Sequence, residues 1–594
     1  MDRVSASAEI AESAESCTPP AAFRTALSVL DSMLRAGMRH AVLAPGSRSA
    51  PLAYALAALA EEEVLQLHVR LDERTSGFMA LGLAKATGEP AGVVTTSGTA
   101  VGELMPAVME AALAEIPLAV LSADRPPRLR GTGANQTTWQ PDLFGTHVRA
   151  AADLTAYPEE RPGEQTAAFA ACLAALAGRA VDDWGRPSGL PRGPVQINTA
   201  FDEPLTPDAA TRTLLRRWAA ALREQLGPLP PTHPRTAVEI PAETAEAVET
   251  AGTVVLAGDG AGETARRFAE HRNLPLLAEP SSGARRGPQV IGAYRLLLGH
   301  DRAPAAEIRR VVLFGRPTLS RPVAHLLNRP EIEVLAYRPH PVSWAEPGRR
   351  RESEFRSLAE LAARVGSGTQ EWNRTWREAE HRAQRRIRDQ LATAATAGSL
   401  TGIDVARAVW SAGGRDGHPL VIGSSNPIRD LDLLPACAKG PGEVFANRGL
   451  AGIDGTIATA IGIAAGLSRP VRALLGDLTF LHDLGSLLIL EAEPVPDLQI
   501  LVFNDSGGGI FSTLEHAGVG RDQSWSDAVE RLFGTPHRAD LRRLVEGYGH
   551  RFERADTVDE LEALLAEEPS GLTVIEIPGS REGLADLHRR LQQD

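Results

Sequence analysis

Two acidic segments in the C-terminal third have the spacing of a divalent-metal site. Gly476-Asp477 and the run Asn504-Asp505-Ser506-Gly507-Gly508 each follow an apolar, strand-like segment. Their separation fits a single βαβ crossover, which would place both carboxylates at neighbouring strand ends. Oxygen ligands in that position suit Mg²⁺ or Mn²⁺, and a helix that opens after Asp477 would offer backbone N–H groups to a diphosphate. The alternative is a pair of helix N-caps and a turn.

Four arginines lie at or just beyond predicted strand ends: Arg48, Arg125, Arg429 and Arg448. The guanidinium group binds carboxylates through two parallel hydrogen bonds, so the set indicates a site for carboxylate substrates. Arginine is also the usual basic residue of this chain, because only Lys85 and Lys439 are lysines among 62 Lys and Arg residues. Ordinary surface salt bridges are therefore the alternative for each arginine taken alone.

The elements that must position these residues form three repeats of alternating strands and helices. Apolar runs that end in turns occur at 41–45, 65–72, 91–98, 116–127 and 193–205, then at 254–260, 274–280, 311–315 and 332–337, and finally at 419–425, 471–477 and 498–505. This alternation predicts an α/β fold of three domains with mainly parallel sheets. The predicted limits are a mobile tail over 1–20 and domains over 21–207, 208–366 and 367–594.

Three further predictions, two helices and one turn, each concern a single segment of the chain. A long charged helix is predicted over about Trp372–Ala395, and HDLGSLLILEA (482–492) is predicted to be the helix between the two acidic strand ends. Gly258-Asp259-Gly260 also follows a strand, but no Asn pair lies at the required distance downstream. It is predicted to be a glycine turn in a Rossmann-like domain without a cofactor.

Composition limits the class of protein. A formal net charge of −13 argues against a nucleic-acid partner. The three cysteines are far apart and form no CxxC pair, which argues against a disulfide framework or a zinc site. No apolar run of membrane-spanning length and no secretory signal is visible, so a cytoplasmic enzyme is expected.

The acidic pair resembles the cofactor motif of thiamin-diphosphate enzymes, with GDL in place of GDG and Asn-Asp in place of Asn-Asn. The resemblance implies metal binding by Asp477, the side chain of Asp505 and the carbonyl of Gly507, although Asn504 could replace Asp505. It implies that Glu73 is the catalytic acid facing the aminopyrimidine, with a pKa raised by apolar shielding. A surface glutamate favoured at a helix start is the alternative.

The same resemblance implies that Ile453, in a glycine-rich turn, holds the cofactor bent; a plain core isoleucine is the alternative. Residues expected at thiamin diphosphate are Glu73, Thr96, Ser97, Gly98, Ile453, Asp454, Gly476, Asp477, Leu478, Asp505, Gly507, Gly508 and Ile510.

Further motifs narrow the resemblance to one branch of that family. APGSRS (44–49), DERTSGFMALGLAKATG (72–88), TSGTA (96–100), SADRPPRLRGTGANQT (122–137), NRGLAGIDG (447–455) and GGGIFS (507–512) are similar to the synthases of menaquinone biosynthesis that join 2-oxoglutarate to isochorismate. The likeness is close in the first and third predicted domains and weak in the middle one. It implies decarboxylation of 2-oxoglutarate and 1,4-addition of the remaining four-carbon unit to isochorismate.

The implied substrate-binding residues are Ser47, Arg48, Arg125, Asn135, Gln136, Arg321, Ser425, Arg429, Arg448, Ile510 and Phe511. In this family the cofactor lies between subunits, which implies at least a homodimer and favours a homotetramer. Two alternatives stay open: another thiamin-dependent 2-oxoacid decarboxylase or acetohydroxyacid-type synthase, and a non-catalytic relative. Retention of both Glu73 and the Asp477/Asp505 pair argues against the second.

Overall fold

The computed structural model describes residues 19–155, 162–178, 191–227, 249–300, 302–345, 349–395, 400–435, 439–520 and 522–592. The chain divides into two compact units, which are described separately. The first comprises 1–233 with 490–493, and the second comprises 234–489 with 494–594. Most of the N-terminal tail predicted for 1–20 lies outside the described residues.

The first unit contains a six-stranded parallel sheet of order β2-β1-β3-β4-β6-β5. Its strands are β1 His40–Leu43, β2 Gln66–Val69, β3 Ala91–Thr95, β4 Leu118–Asp124, β5 Ala150–Thr155 and β6 Val195–Ala200. Every residue of β3, β4 and β6 is buried. Such continuous burial is typical of central parallel strands that helices cover on both faces.

The helices of the first unit are α1 Ala21–Arg35, α2 Ala50–Glu61, α3 Glu73–Thr87, α4 Thr99–Gly102, α5 Met105–Ala114, α6 Pro162–Ala177 and α7 Ala209–Leu226. Helix α3 begins where the Asp72 side chain accepts a hydrogen bond from the Thr75 N–H (3.0 Å) and ends at Gly88, which is left-handed. Between these caps, Thr75 to Ala86 are all buried. The helix is therefore an internal element, with Glu73 at its first turn.

The second unit contains two larger parallel sheets. One has five strands in the order β12-β11-β10-β8-β9 and the other has six in the order β15-β14-β16-β17-β19-β18; β7 and β13 form a separate pair. The strands are β7 Glu249–Thr250, β8 Thr253–Ala257, β9 Leu276–Ala278, β10 Arg310–Phe314, β11 Glu333–Tyr337, β12 Ser353–Phe355, β13 Ser367–Gly368, β14 Leu420–Ile422, β15 Val444–Ala446, β16 Val471–Gly476, β17 Leu498–Asn504, β18 Arg551–Arg554 and β19 Leu572–Pro578.

The helices of the second unit are α8 Gly262–His271, α9 Tyr294–Leu298, α10 Arg321–Asn328, α11 Leu358–Val365, α12 Gln370–Ala395, α13 Gly402–Asp416, α14 Asn426–Leu431, α15 Thr456–Leu467, α16 Asp477–His482, α17 His516–Val519, α18 Gln523–Val529, α19 Leu541–Gly547, α20 Val558–Leu565 and α21 Leu584–Gln592. Three parallel α/β sheets confirm the predicted fold class, including the long charged helix, which is α12. The predicted domain limits remain predictions.

The helix expected over 482–492 is wrong. Helix α16 ends at His482, a short 3₁₀ turn follows over Leu484–Leu487, and the chain then runs without a regular helix to β17. Buried Asp483 accepts hydrogen bonds from the N–H groups of Ile457 (2.7 Å) and Ala458 (3.0 Å). This carboxylate caps the start of α15. The chain at Asp483 is held by these tertiary hydrogen bonds and does not continue as a helix through 482–492.

The glycine turn at 258–260 has a packing role. A Cβ at Gly258 would lie 2.1 Å from the Pro317 nitrogen. Asp259 and Arg316 exchange backbone hydrogen bonds of 2.9 Å in both directions. The glycine therefore permits two backbones to meet beyond the ends of β8 and β10.

No helix in the described part of the chain combines the length and apolar character needed to cross a membrane.

Candidate active site

Glu73 occupies the first position of α3 in the first unit and is half-buried. Burial raises the pKa of its carboxyl group; its own backbone hydrogen bond opposes this effect, and nearby Asp72 and Glu103 add to it. The structure therefore gives Glu73 the partly shielded environment that a proton-exchanging acid requires.

The loop after β3 lies against two neighbouring segments of the first unit. Ser97 Oγ donates to the Gln136 carbonyl (2.9 Å), and Gln136 Nε2 donates to the Ser97 carbonyl (2.9 Å). A Cβ at Gly46 would lie 2.2 Å from Thr96 Cβ, so the 44–49 loop approaches too closely for any other residue. Gly98 N–H donates to Gln140 Oε1 (3.2 Å). The structure thus brings Thr96, Ser97, Gly98 and Gln136 together.

One predicted arginine, Arg125, contacts this loop, and a second, Arg48, lies near Arg125. Arg125 Nη1 donates to Ser97 Oγ (3.3 Å), and Arg48 Nη1 donates to the Phe201 carbonyl (2.9 Å). Burial lowers the pKa of Arg48, and the charge of Arg125 lowers it further. Two guanidinium groups held near each other favour an anion between or beside them. Ser47 and Asn135 are exposed on the adjoining loops.

The two acidic strand ends meet in the second unit. Strands β16 and β17 pair in parallel, with Gly476 opposite Phe503. Asp477 is 2% exposed and Asp505 is 8% exposed. Burial and the neighbouring charge of Asp477 raise the pKa of Asp505 to about 7. Two shielded carboxylates that repel each other fit a divalent cation, which would neutralise both.

Asn504 and Asp505 point to different partners. Asn504 Nδ2 donates to Glu576 Oε1 (2.6 Å) on β19, and its Oδ1 accepts from the Ser506 N–H (3.1 Å). The pKa of the Asp505 carboxyl group is instead raised by burial and also by the nearby charge of Asp477. These contacts favour Asp505 over Asn504 as the residue that faces a metal.

The glycine turn after Asp505 completes this strand-end cluster. Gly507 N–H donates to Asp477 Oδ2 (2.7 Å), and Gly508 N–H donates to the Gly534 carbonyl (2.7 Å). Within the described residues, no three Asp, Glu, His or Cys side chains gather as a metal site. Two carboxylates and a backbone carbonyl suit an ion such as Mg²⁺ that takes its other ligands from water and phosphates.

Two residues at this cluster were missed from the sequence. His537 Nε2 lies 2.8 Å from Asp477 Oδ2. Arg581 Nε donates to the Asp505 carbonyl (3.1 Å), and its Nη2 group pairs with Glu530 (2.8 Å). Both come from irregular segments more than one element away, and no local pattern in the sequence marks them.

The turn 452–455 presents two predicted cofactor residues. Ile453 and Asp454 are half-buried, immediately before α15 begins at Thr456. Ile453 is not among the buried core side chains of the described residues. The role of Ile453 at the cofactor stays a prediction. Leu478 and Gly476, beside Asp477, are half-buried as well.

A second arginine cluster lies in the second unit, on the segments that follow β14 and β15. Arg448 is 4% exposed and donates from Nε to Thr318 Oγ1 and from Nη2 to the Thr318 carbonyl, both at 3.0 Å. Arg429 Nη1 donates to the carbonyl of Ser425 (2.8 Å), which has a positive φ of 73°. Burial, followed by the charges of Arg448 and Arg295, lowers the pKa of Arg429 to about 10. This cluster also favours an anionic ligand.

The remaining predicted substrate residues lie on exposed or half-buried segments. Arg321 is 75% exposed at the start of α10 and forms an ion pair with Glu515 (2.5 Å). Ile510 is half-buried in the 3₁₀ turn Gly509–Thr513. The Phe511 ring lies 5.5 Å from that of Phe533 and 5.8 Å from that of His516.

Comparison with known proteins defines the class first. Residues 24–144 match the family described as "Thiamine pyrophosphate enzyme, N-terminal TPP binding domain", and residues 434–577 match "Thiamine pyrophosphate enzyme, C-terminal TPP binding domain". These two segments contain Glu73 and the Asp477/Asp505 pair respectively.

Full-length relatives define the branch. The chain is 47% identical to the 2-succinyl-5-enolpyruvyl-6-hydroxy-3-cyclohexene-1-carboxylate synthase of Renibacterium salmoninarum, over 97% of this chain and 98% of that protein. It is 48% identical to the synthase of the same name from Paenarthrobacter aurescens (98% and 97%) and 40% identical to that from Mycobacterium marinum (95% and 98%). The chain belongs to this family of synthases among the thiamin-diphosphate enzymes.

Proposed function

We propose that the protein is a thiamin-diphosphate-dependent synthase that decarboxylates 2-oxoglutarate and adds the remaining four-carbon unit to isochorismate. The product is 2-succinyl-5-enolpyruvyl-6-hydroxy-3-cyclohexene-1-carboxylate, a step of menaquinone biosynthesis. The observation that carries the proposal is 47% identity over nearly the whole length of a synthase with that name. The two arginine clusters support it, because both substrates are carboxylates.

The cofactor site proposed for this chain uses residues of both units. Asp477, Asp505 and the Gly507 carbonyl would hold Mg²⁺ or Mn²⁺, and the metal would bind the diphosphate. Glu73 would exchange a proton with the aminopyrimidine, which requires a carboxyl pKa above its ordinary value. Bound thiamin diphosphate supplies the electron sink for loss of carbon dioxide. The structure supports this set through the burial of both aspartates and the half-burial of Glu73.

The substrate site proposed for this chain consists mainly of positively charged side chains. Arg48 and Arg125 in the first unit, and Arg429 and Arg448 in the second, would bind substrate carboxylates. Burial lowers the pKa of Arg48 and of Arg429 most, and the charge of the other arginine of the pair lowers it further. Ile510 and Phe511 would provide an apolar wall beside the carbon skeleton.

The oligomeric state is part of the proposal. Glu73 and Asp477 lie in different compact units, and in the family resembled by the sequence they serve one cofactor from two subunits. We therefore propose at least a homodimer, and favour a homotetramer.

The arginines provide the test of the substrate assignment. Alanine variants of Arg48, Arg125, Arg429 and Arg448 should bind thiamin diphosphate normally and each raise the KM of one substrate more than that of the other. Loss of one partner of a buried charge pair typically costs ~3–5 kcal/mol, or about two to four orders of magnitude in affinity.

Arg35→Ala is the matched control, because Arg35 is a surface residue of the first unit that pairs with Asp31 and Gln225 and lies outside the proposed site. If all four site variants kept both KM values as close to wild type as this control does, the arginines would not bind substrate.

A further inference from the structure

We propose that Thr318 and Glu279, two residues of the five-stranded-sheet domain, are positioning residues that fix the guanidinium of Arg448 and so set the affinity for one carboxylate substrate. The inference rests on the proposed function, in which Arg448 binds substrate. It assigns a specificity role to the region of the chain where the sequence motifs of the family are weakest.

The first step is the contact between Thr318 and Arg448. One threonine accepts two hydrogen bonds from this arginine, at Oγ1 from Nε and at the carbonyl from Nη2, both 3.0 Å long. Two bonds from one residue fix the plane of the guanidinium as well as its position. In the described part of the chain these contacts use Nε and Nη2, and they leave the Nη1 hydrogens for a ligand.

The second step is the support of Thr318 itself. Thr318 lies in the loop between β10 and α10, and the carboxyl group of Glu279 lies beneath this loop. Glu279 accepts from the Thr318 N–H at both oxygens (3.0 and 3.2 Å) and from the Leu319 N–H (3.0 Å). Glu279 is 1% exposed and follows directly after β9. A buried acid at the end of a sheet strand therefore anchors the loop that holds the arginine.

The third step is electrostatic. Burial lowers the pKa of Arg429 most, the charges of Arg448 and Arg295 lower it further, and Asp432 and Asp430 oppose them. The repulsion between Arg448 and Arg429 favours their separation unless other contacts hold Arg448 in place. Arg448 is fixed by Thr318, and the charge of Arg448 in turn acts on the Glu279 carboxyl group. The geometry is thus set before substrate arrives, which reduces the entropic cost of binding.

The decisive variant is Thr318→Val, which keeps the shape of the side chain and removes Oγ1. We expect it to raise the KM of the same substrate as Arg448→Ala by about tenfold, equivalent to ~1.4 kcal/mol, as for a lost hydrogen bond to a charged group. Thr318→Ser restores the hydroxyl group and should stay within about twofold, well below that tenfold change. Glu279→Gln keeps one acceptor oxygen and should raise the same KM by a smaller factor.

Thr375→Val is the matched control, because the Thr375 hydroxyl donates to the Glu371 carbonyl within helix α12. The affinity for thiamin diphosphate with Mg²⁺, measured by calorimetry, should be unchanged in every variant. A double-mutant cycle gives the sharpest readout: Thr318→Val should add nothing to Arg448→Ala, since the group that Thr318 positions is already gone.

The outcomes separate the two proposals. Suppose that Arg448→Ala raises the KM of one substrate. The positioning role is then overturned if Thr318→Val matches wild type, if it raises both KM values equally, or if its effect adds fully to that of Arg448→Ala. In each of these cases the proposed function stands. If Arg448→Ala leaves both KM values unchanged in a protein that forms product, the substrate role of Arg448 and this inference fall together. A wild-type protein that forms no product overturns the proposed function, and the inference with it.

Discussion

Glu73 combines two properties that seldom occur together at a helix start. The first turn of a helix favours a charged carboxylate, yet burial shifts the pKa of Glu73 upward. Because α3 is buried from Thr75 onward, the carboxyl group borders an apolar interior. Burial thus moves the pKa of this carboxyl group upward, the direction that proton exchange with a cofactor ring requires.

Replacing Glu73 by Gln keeps the size and polarity of the side chain and removes its acid. We expect a folded protein that still binds Mg²⁺ and thiamin diphosphate but loses turnover by at least about 10²-fold, in the range of general acid–base catalysis. Steady-state rates and calorimetric cofactor affinity are the measurements. Glu103→Gln is the matched control, because Glu103 is an exposed acid that acts on the Glu73 carboxyl group through space. Near-wild-type turnover in the Glu73→Gln variant would show that the Glu73 carboxyl group is not required for catalysis.

The metal assignment can be tested on two adjacent residues. Asp505→Ala removes a carboxylate next to Asp477, whereas Asn504→Ala removes an amide that bonds to Glu576 and Ser506. We expect Asp505→Ala to raise the Mg²⁺ concentration needed for cofactor binding far more than Asn504→Ala does. A Mg²⁺ titration of thiamin diphosphate binding measures this, and the reverse order would assign the metal to Asn504.

Residues at strand ends could be predicted from the sequence, and their long-range partners could not. Asp477 and Asp505 each follow an apolar run, and adjacent parallel strands bring such ends together. His537 and Thr318 contact the predicted residues Asp477 and Arg448 from loops distant in sequence. Neither loop carries a sequence pattern that indicates these contacts, so only the folded structure reveals them.

At the scale of elements, buried strands were the most predictable feature and the connections the least. Strands such as β4 and β17 are mainly apolar because helices cover both sheet faces. The helix predicted over 482–492 failed because Asp483 caps α15 and because Pro494 and Pro496 follow closely. Local helix propensity was overridden by a tertiary hydrogen bond, which no window of the sequence contains.

The edge of the first sheet carries a buried histidine pair that makes stability depend on pH. His40 on β1 and His68 on β2 stack with ring centroids 5.7 Å apart and nitrogens 3.4 Å apart. Burial lowers the pKa of His40 to about 4 and that of His68 to about 3. The unfolded chain therefore binds protons first as pH falls. The pair's contribution to stability is present above the ordinary histidine pKa and is lost as pH falls toward 4.

We expect His68→Gln to reduce this acid sensitivity. Between pH 7.5 and pH 4.5, values chosen to span the ordinary histidine pKa of about 6.5, the unfolding midpoint of the wild type should fall more steeply than that of the variant. Thermal unfolding followed by circular dichroism measures both curves. Exposed His271 offers the control substitution His271→Gln, and equal slopes for wild type and His68→Gln would contradict the prediction.

At the scale of the whole molecule, the family resemblance implies that Glu73 and Asp477 of one cofactor site come from two subunits. Mixing Glu73→Gln with Asp477→Ala protein tests this directly. If each site takes Glu73 from one chain and Asp477 from the other, unfolding and refolding the mixture should restore roughly a quarter of wild-type activity, since half of the dimers are mixed and one of two sites in each is intact. A site built within one chain would give no recovery, because each chain then lacks one essential residue.

The identity of the product tests the central claim most directly. Purified protein is incubated with thiamin diphosphate, Mg²⁺, 2-oxoglutarate and isochorismate, and the products are identified by mass spectrometry, with each component omitted in turn. The proposed function predicts carbon dioxide and 2-succinyl-5-enolpyruvyl-6-hydroxy-3-cyclohexene-1-carboxylate, formed only in the complete mixture. Consumption of 2-oxoglutarate without any adduct of isochorismate, or no reaction in the complete mixture, would contradict it.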